Sequence, residues 1–399
     1  MAAFFGRAAC DGESSIVIPY GRQTIEEDDI ESVVGVLRSD WLTQGPKIEE
    51  FEQALAQYCG SKYAVVFASG TAALHAAYFA AGIGAGDEFI TSPLTFAATS
   101  NAGLWLGARP VFADIDPETG NLDPRKAAEK ITKRTKAIVP VDYSGHPAEL
   151  DEFRRIAQDN NLILVEDACH ALGASYSGRK IGSLSDITVF SFHPIKAITT
   201  GEGGAIITSD KKIHEKLIRF RHHGIARNNL EQNPGDWYYE MHDLGLNYRL
   251  TDIQCALGIS QLKKLERFVE ARKAVAQYYY KALSGWPEIE LPVVKDGACH
   301  AFHLFVIRLN PVWKHKRDEV FKRLRSLGIG AQVHYMPVYR HPYYKSHGFG
   351  IESCPNAEDF YSRAISIPIF PSLTSGQQGK VADALRLALD ECCNETVSQ

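Results

Sequence analysis

The stretch KYAVVFASGTAALHAAYFAAGI, residues 62–83, changes character at its midpoint. KYAVVFAS is a short, β-prone apolar run bounded by polar residues and reads as a buried strand. GTAALHAAYFAAGI is Ala-rich and long enough for three turns of helix. A buried strand running straight into a helix is the unit from which α/β sheets are built.

Outward from this unit the alternation continues. Strands are expected at DEFITSP (87–93), RPVFADI (109–115), TKAIVPVDY (135–143) and LILVED (162–167). Helices fall between them at TFAATSNAGLWLG (95–107), DPRKAAEKIT (123–132) and AELDEFRRIAQDN (148–160). ITVFSF (187–192) and GAIIT (204–208) are also strand-like. This order predicts an open, mostly parallel sheet covered by helices on both faces. Two helices precede it, one over 25–39 capped by Thr24 and one over 47–59 opened by Pro46.

After residue 250 the pattern changes. Residues 251–285 read as one long amphipathic linker helix. Beyond it, AFHLFVIRL (301–309) and GAQVHY (330–335) read as strands, RDEVFKRLRSLGI (317–329) as a helix, and the tail as two late helices ending at 393. The expected organisation is a large α/β domain over 1–250 and a small α+β domain with its linker helix over 251–399. A chain of 399 residues, 45% hydrophobic, is long enough to bury two cores. No repeat at a fixed period is evident.

Charge excludes some functions. The net charge is −5 and the Lys and Arg residues are scattered, so no basic stripe is available to neutralise nucleic-acid phosphates. No apolar run of eighteen residues predicts a membrane span, and the opening MAAFFGRAACDGESS lacks the layout of a signal peptide. The eight cysteines show no CxxC spacing and are expected as free thiols of a reducing cytoplasm. Cys299, His300 and His303 lie close in sequence without a second ligand pair, so core and strand positions explain them better than a metal.

Ligands of an open α/β sheet sit beyond the carboxyl ends of its strands. Three features lie there. Ser69, Gly70 and Thr71 form a strand-to-helix turn whose free N–H groups favour a phosphate, although helix capping is the commoner reason for a Ser or Thr at such a place. Asp167 closes the strand 162–167, as a cap, a turn residue or a cation partner. Lys196, in FSFHPIKAITTGEGG (190–204), sits between two β-prone runs before a glycine-rich turn. A loop lysine is ordinarily solvated, whereas a desolvated one loses its proton readily and becomes a nucleophilic amine. Pyridoxal phosphate (PLP) needs all three groups: a phosphate cradle, an anion beside its pyridine nitrogen and an amine for its aldehyde. Phe96 adds an aromatic that either covers the ring or packs in the core. The glycines at 82, 84 and 86 end a helix and lead into a strand, the wrong order for a dinucleotide fingerprint.

The motifs SGTAAL (69–74), TFAATSNA (95–102), EDACHALGA (166–174), FSFHPIK (190–196), GEGGAI (201–206) and LGLNYRLTDIQCALGISQL (244–262) resemble those of the DegT/DnrJ/EryC1/StrS sugar aminotransferase family. The resemblance runs from about residue 17 to near 390. It implies a fold-type I PLP-dependent aminotransferase, a homodimer with shared active sites, and pyridoxamine phosphate as the amino carrier. By the same resemblance Lys196 is the cofactor-linked lysine and Asp167 the pyridinium partner. Gly70, Thr71 and Ser191 are phosphate ligands, Phe96 the stacking aromatic, and His170 a contact of the ring or its 3-hydroxyl. Asn247 would reach the phosphate from the neighbouring subunit. Thr43, Tyr143, Arg249, His334 and Tyr335 fall in segments that line the sugar-nucleotide site of relatives.

LTQGP (42–46), VDYSGHPAEL (141–150), IGAQVHYMPVYRHPYY (329–344) and CPNAEDFYSRAISIP (354–368) resemble the pseudaminic acid branch of the family. That branch moves the amino group of L-glutamate to C4 of a UDP-4-keto-6-deoxy amino sugar, UDP-4-keto-6-deoxy-L-AltNAc. The alternatives are an aminotransferase of another 4-keto sugar, such as the D-gluco isomer, a sugar dehydratase, or a PLP-fold binding protein without turnover. Family dehydratases carry histidine at the position of Lys196, and the full set of lysine, aspartate and phosphate ligands argues against a degenerate site.

Overall fold

The computed structural model describes residues 17–227, 230–231, 234–350 and 354–393. Cys10 and the segment before Ile16 lie outside the described residues.

Seven strands form the main sheet: β1 (Tyr63–Phe67), β2 (Glu88–Thr91), β3 (Arg109–Phe112), β4 (Thr135–Val139), β5 (Ile163–Asp167), β6 (Ile187–Ser191) and β7 (Gly204–Thr208). Their spatial order is β1-β7-β6-β5-β4-β2-β3. β7 runs antiparallel to both of its neighbours and every other pairing is parallel. All strands except β7 therefore point the same way, so the carboxyl ends of β1, β2, β5 and β6 share one edge.

Alternate residues bury on opposite faces. Val66, Phe190 and Ile207 join one core cluster; Val65, Phe67, Val189 and Ile206 join another on the opposite face. This period of two is what β geometry requires of strands buried on both sides. Helix α1 (Glu27–Leu37) and helix α2 (Pro46–Cys59) precede the sheet. Helix α3 (Gly70–Ala80) follows β1 directly, and its small residues let it bury almost all round. Helix α4 (Ala98–Trp105) follows β2.

Some local expectations are corrected. Helix α1 starts at Glu27, after an N-cap at Glu26 rather than Thr24, because the Glu26 N–H donates to Asp29 Oδ2 at 2.9 Å. The expected linker helix is two helices, Asp252–Leu262 and Leu265–Leu283. The break at Lys263 and Lys264 lets the Lys264 amine reach Asp28 at 2.5 Å and Asp29 at 2.8 Å on α1. GAQVHY makes no strand; it contributes one bridge, Gln332 to Ser366. A strand at Ala364–Ile367 separates the two late helices and pairs antiparallel with Phe305–Leu309, which also pairs with Ile289–Glu290. The Leu265–Leu283, Arg317–Ser326 and Ser375–Cys393 helices pack with this sheet around a separate apolar cluster.

Candidate active site

The shared strand edge gathers the first group of candidates. β1 ends in Ala68 and Ser69. Ser69 caps α3 by accepting from the Ala72 N–H at 3.1 Å, which leaves the Gly70 and Thr71 amides at the helix start free of that cap. Ser191 closes β6 beside them. A Cβ built on Gly70 would lie 2.8 Å from Ser191 Cβ and 3.0 Å from its Oγ. Glycine is needed at 204 too, where a Cβ would stand 2.6 Å from the Ser69 carbonyl oxygen. The turn, the hydroxyl of Ser191 and the first residue of β7 are thus pressed into one cradle. Its amides carry the positive end of α3.

Asp167 is only 4% exposed at the end of β5. Thr99 Oγ1 donates to its Oδ2 at 2.7 Å and the Cys169 N–H to its Oδ1 at 3.2 Å. No described cation pairs with it. Behind it, burial and the neighbouring Glu166 charge push the Asp142 carboxyl well up, so the Asp142–Glu166 pair holds a proton.

Lys196 lies in the turn after β6, its N–H on the His193 carbonyl at 2.9 Å. Burial lowers the pKa of its amine, and nearby Arg272 adds to the effect against the opposing pull of Cys169 and Asp167. No described group hydrogen-bonds the amine.

His170 lies three residues beyond Asp167 and is held neutral, first by burial and then by the Lys196 charge. Its Nε2 meets the Tyr335 hydroxyl at 3.2 Å, while its buried Nδ1 has no partner. Its ring lies 4.3 Å from that of His303. Tyr335 also faces Phe96, ring centroids 6.2 Å apart. Phe96 is 62% exposed, so the core-packing alternative fails and the ring is free to cover a ligand. His334 is pushed down to about 3 by burial and the Lys196 charge, with Nδ1 2.8 Å from Ser366 Oγ. Tyr143 is buried, and its hydroxyl donates to the His334 carbonyl. It stands as a support behind the His334–Tyr335 segment.

Three candidates make no described hydrogen bond to these residues, although the chain passes the edge at Tyr248, whose carbonyl accepts from the Ala68 N–H at 2.8 Å. Thr43 is exposed in the loop between α1 and α2, and Asn247 is exposed beside a bridge to His222. Arg249 sits 2.6 Å from His222 Nδ1 and lines a cavity of about 550 Å³ with Gln44, Glu52 and Arg221. None of Gly70, Phe96, Asp167, His170, Ser191 or Lys196 lines that cavity. No described group of His, Cys, Asp and Glu is arranged to hold a metal: His300 stacks on Phe302 at 4.1 Å and His303 lies against His170.

Residues 23–386 match the model of the DegT/DnrJ/EryC1/StrS aminotransferase family. The chain belongs to that family. It is 40% identical over 378 residues to the UDP-4-amino-4,6-dideoxy-N-acetyl-beta-L-altrosamine transaminase of Campylobacter jejuni, covering 94% of this chain and 98% of the relative. It is also 40% identical over 374 residues to the spore coat polysaccharide biosynthesis protein SpsC of Bacillus subtilis, covering 92% and 96%. Among solved structures, Helicobacter pylori PseC, an aminotransferase of pseudaminic acid biosynthesis, superposes with a TM-score of 0.88 at 35% identity, covering 94% of this chain and all of that one. The protein is accordingly a transaminase of this family with the fold-type I architecture.

The family implies PLP, and the residues present fit it. The cradle of Gly70, Thr71 and Ser191 suits its phosphate. Asp167 is a buried acceptor with no cation of its own, and His170 Nδ1 is a buried polar atom with no partner. Thr99 is a further functional residue, not singled out by the sequence pattern. Its signal was its place one helical turn after Phe96, which aims it at the same edge.

Proposed function

We propose that this enzyme uses PLP to move the amino group of L-glutamate to C4 of UDP-4-keto-6-deoxy-L-AltNAc. The observation that carries the chemistry is the placing of a desolvated lysine, a cation-free buried carboxylate and a phosphate cradle on one strand edge. The choice of sugar is supported by the similarity to the Campylobacter transaminase and to PseC across nearly the whole chain. The equal identity to SpsC favours, as a second reading, a different nucleotide-linked 4-keto sugar.

When bound, the cofactor supplies an aldehyde that accepts an amine and a ring that accepts an electron pair. Gly70, Thr71 and Ser191 would hold its phosphate, Asp167 its ring nitrogen, and Phe96 its face. Lys196 anchors it. Once displaced, the neutral Lys196 amine takes a proton from Cα of the amino donor, and in the second half-reaction it returns one to C4 of the sugar. Tyr335 and His334 form the wall on the sugar side, with Tyr143 bracing them. In this proposal the homodimer completes each site: Thr43, Asn247 and Arg249 serve the site of the other subunit. Cytoplasmic placement is part of the same proposal. It is supported by Cys59, Cys169, Cys255 and Cys299, free thiols of the kind a reducing compartment keeps.

The test loads the enzyme with pyridoxamine phosphate and adds one 4-keto sugar without amino acid. Consumption of the amine with UDP-4-keto-6-deoxy-L-AltNAc, and little with the D-gluco isomer, is the expected result. The opposite preference would transfer the enzyme to another amino-sugar pathway. Lys196→Ala should abolish turnover; substantial remaining activity measured in the same assay would remove Lys196 from the chemistry.

A further inference from the structure

Arg272 is the largest fully buried side chain among the described residues, 1% exposed in the middle of the Leu265–Leu283 helix. No described carboxylate pairs with it. Its guanidinium instead donates to backbone carbonyls: Nη1 to Ile369 at 2.9 Å, His303 at 3.4 Å and Phe302 at 3.5 Å, and Nη2 to Ile195 at 3.3 Å. Its Nε has no partner at all. A buried guanidinium ordinarily recruits a carboxylate, because neutral carbonyls offset only part of the cost of taking the charge out of water. Burial does lower its pKa, to about 10, which still leaves the group cationic near neutrality.

The position of this charge is what makes it informative. Ile195 immediately precedes Lys196, and His303 lies against His170. One guanidinium therefore clamps the lysine turn of the large sheet to two segments of the C-terminal part, 302–303 and 369. A tie needing only hydrogen bonds needs no net charge.

We propose that Arg272 is a positioning residue that acts through Lys196: buried without a carboxylate partner and bonded to the carbonyl just before Lys196, its guanidinium fixes the lysine turn and sets an uncompensated positive charge next to it. The inference rests on the assignment of Lys196 as the cofactor-linked lysine. The groups facing that amine have opposing effects. Asp167 and Cys169, at the end of β5, favour its charged form. Arg272, from the linker helix, opposes it. His170, His303 and His334 are buried and neutral, and His193 is lowered by burial, so none of them supplies a compensating cation. Among the described residues Arg272 is thus the one permanent positive charge acting on the amine. Its guanidinium stays cationic near neutrality despite burial, which suits that duty.

The experiment titrates the visible absorbance of the full-length, cofactor-loaded enzyme against pH, which reports proton binding at the Lys196 nitrogen in its bond to the cofactor, where the same charge acts. It compares the wild type with Arg272→Gln and Arg272→Lys, after thermal melting has shown that each is folded. Gln keeps donors for the carbonyls but removes the charge; Lys keeps a charge and loses the fork. The expected result is a titration midpoint raised by about one pH unit or more in Arg272→Gln, and near the wild-type value in Arg272→Lys. Equal shifts in both variants would mean that only the shape of the clamp matters, and an unmoved midpoint in Arg272→Gln would mean that the charge is not felt; either overturns the proposal. If Arg272→Gln fails to fold, Arg272→Met in the same titration decides by the same criteria. A wild-type enzyme that shows no visible cofactor band would instead refute the assignment of Lys196 on which the inference rests.

Discussion

Asp167 can serve a cofactor only while it is held still, and two donors, the Thr99 hydroxyl and the Cys169 N–H, hold it. Thr99 is the one that can be removed without touching the backbone. Thr99→Val leaves Asp167 Oδ2 without its 2.7 Å hydroxyl donor. A hydrogen bond to a charged group of this kind contributes about 1.5 kcal/mol or more, so kcat should fall about tenfold or further. Thr99→Ser should restore most of it. A wild-type rate in the Val variant would mean that the Cys169 amide alone suffices. Lys196 and Asp167 were legible because each ends or follows an apolar strand and the strand edge does the rest. Thr99 was not, because its partner is 68 residues away in sequence and a single helix pattern carries no trace of it, and Tyr335 was reached only through the family resemblance, its partner His170 lying 165 residues away.

The buried histidines give the site a pH signature. His334 falls from 6.5 unfolded to about 3 folded. As pH drops below 6.5 the unfolded chain takes up a proton that folded His334 refuses. Its contribution to stability is intact above that pH and is lost progressively down to about 3, by up to about 1.4 kcal/mol per pH unit. Urea unfolding at pH 7 and pH 5 should show this slope, and His334→Gln should flatten it by that amount. The same slope in the variant would show that His334 is already protonated in the fold.

At the level of elements, the α/β alternation was readable from Lys62 to Thr208 because buried strands and their helices differ in period and length. The direction of β7 was not, since GAIIT reads equally well either way along a sheet. The linker helix was misjudged for a different reason. Its amphipathic stripe runs unbroken through Lys263 and Lys264, and only long-range ion pairing stops it. Lys264 is 8% exposed on its side chain and meets Asp29, which is fully buried. Lys264→Met strands that carboxylate, at a cost of about 3 kcal/mol in unfolding free energy. Adding Asp29→Asn should recover a large part of the loss, since the amide leaves no charge to desolvate and can still face Gln261. Additive losses in the double variant would show that the two residues do not act as a pair.

The whole molecule poses the question of completeness. Thr43, Asn247 and Arg249 make no described hydrogen bond to the residues around Lys196, and exposed apolar side chains lie near them in sequence. Trp41 is 55% exposed, Met241 65% and Leu244 86%. Such a surface suits an isologous contact, in which each chain lends its outlying residues to the other's strand edge. Complementation separates this from a site closed within one chain. Lys196→Ala and Asn247→Ala variants are each expected to be inactive or nearly so. In a mixed dimer, the Asn247→Ala subunit keeps its own Lys196 and would receive Asn247 from the other chain. Random reassortment makes half of the dimers mixed, each with one competent site, so activity should return to roughly a quarter of wild type. The assay requires unfolding and refolding the two variants together, with each refolded alone as its control. Recovery only in the mixture means that Asn247 works across the interface; no recovery, with refolding of each variant confirmed, means that it serves Lys196 of its own chain or neither.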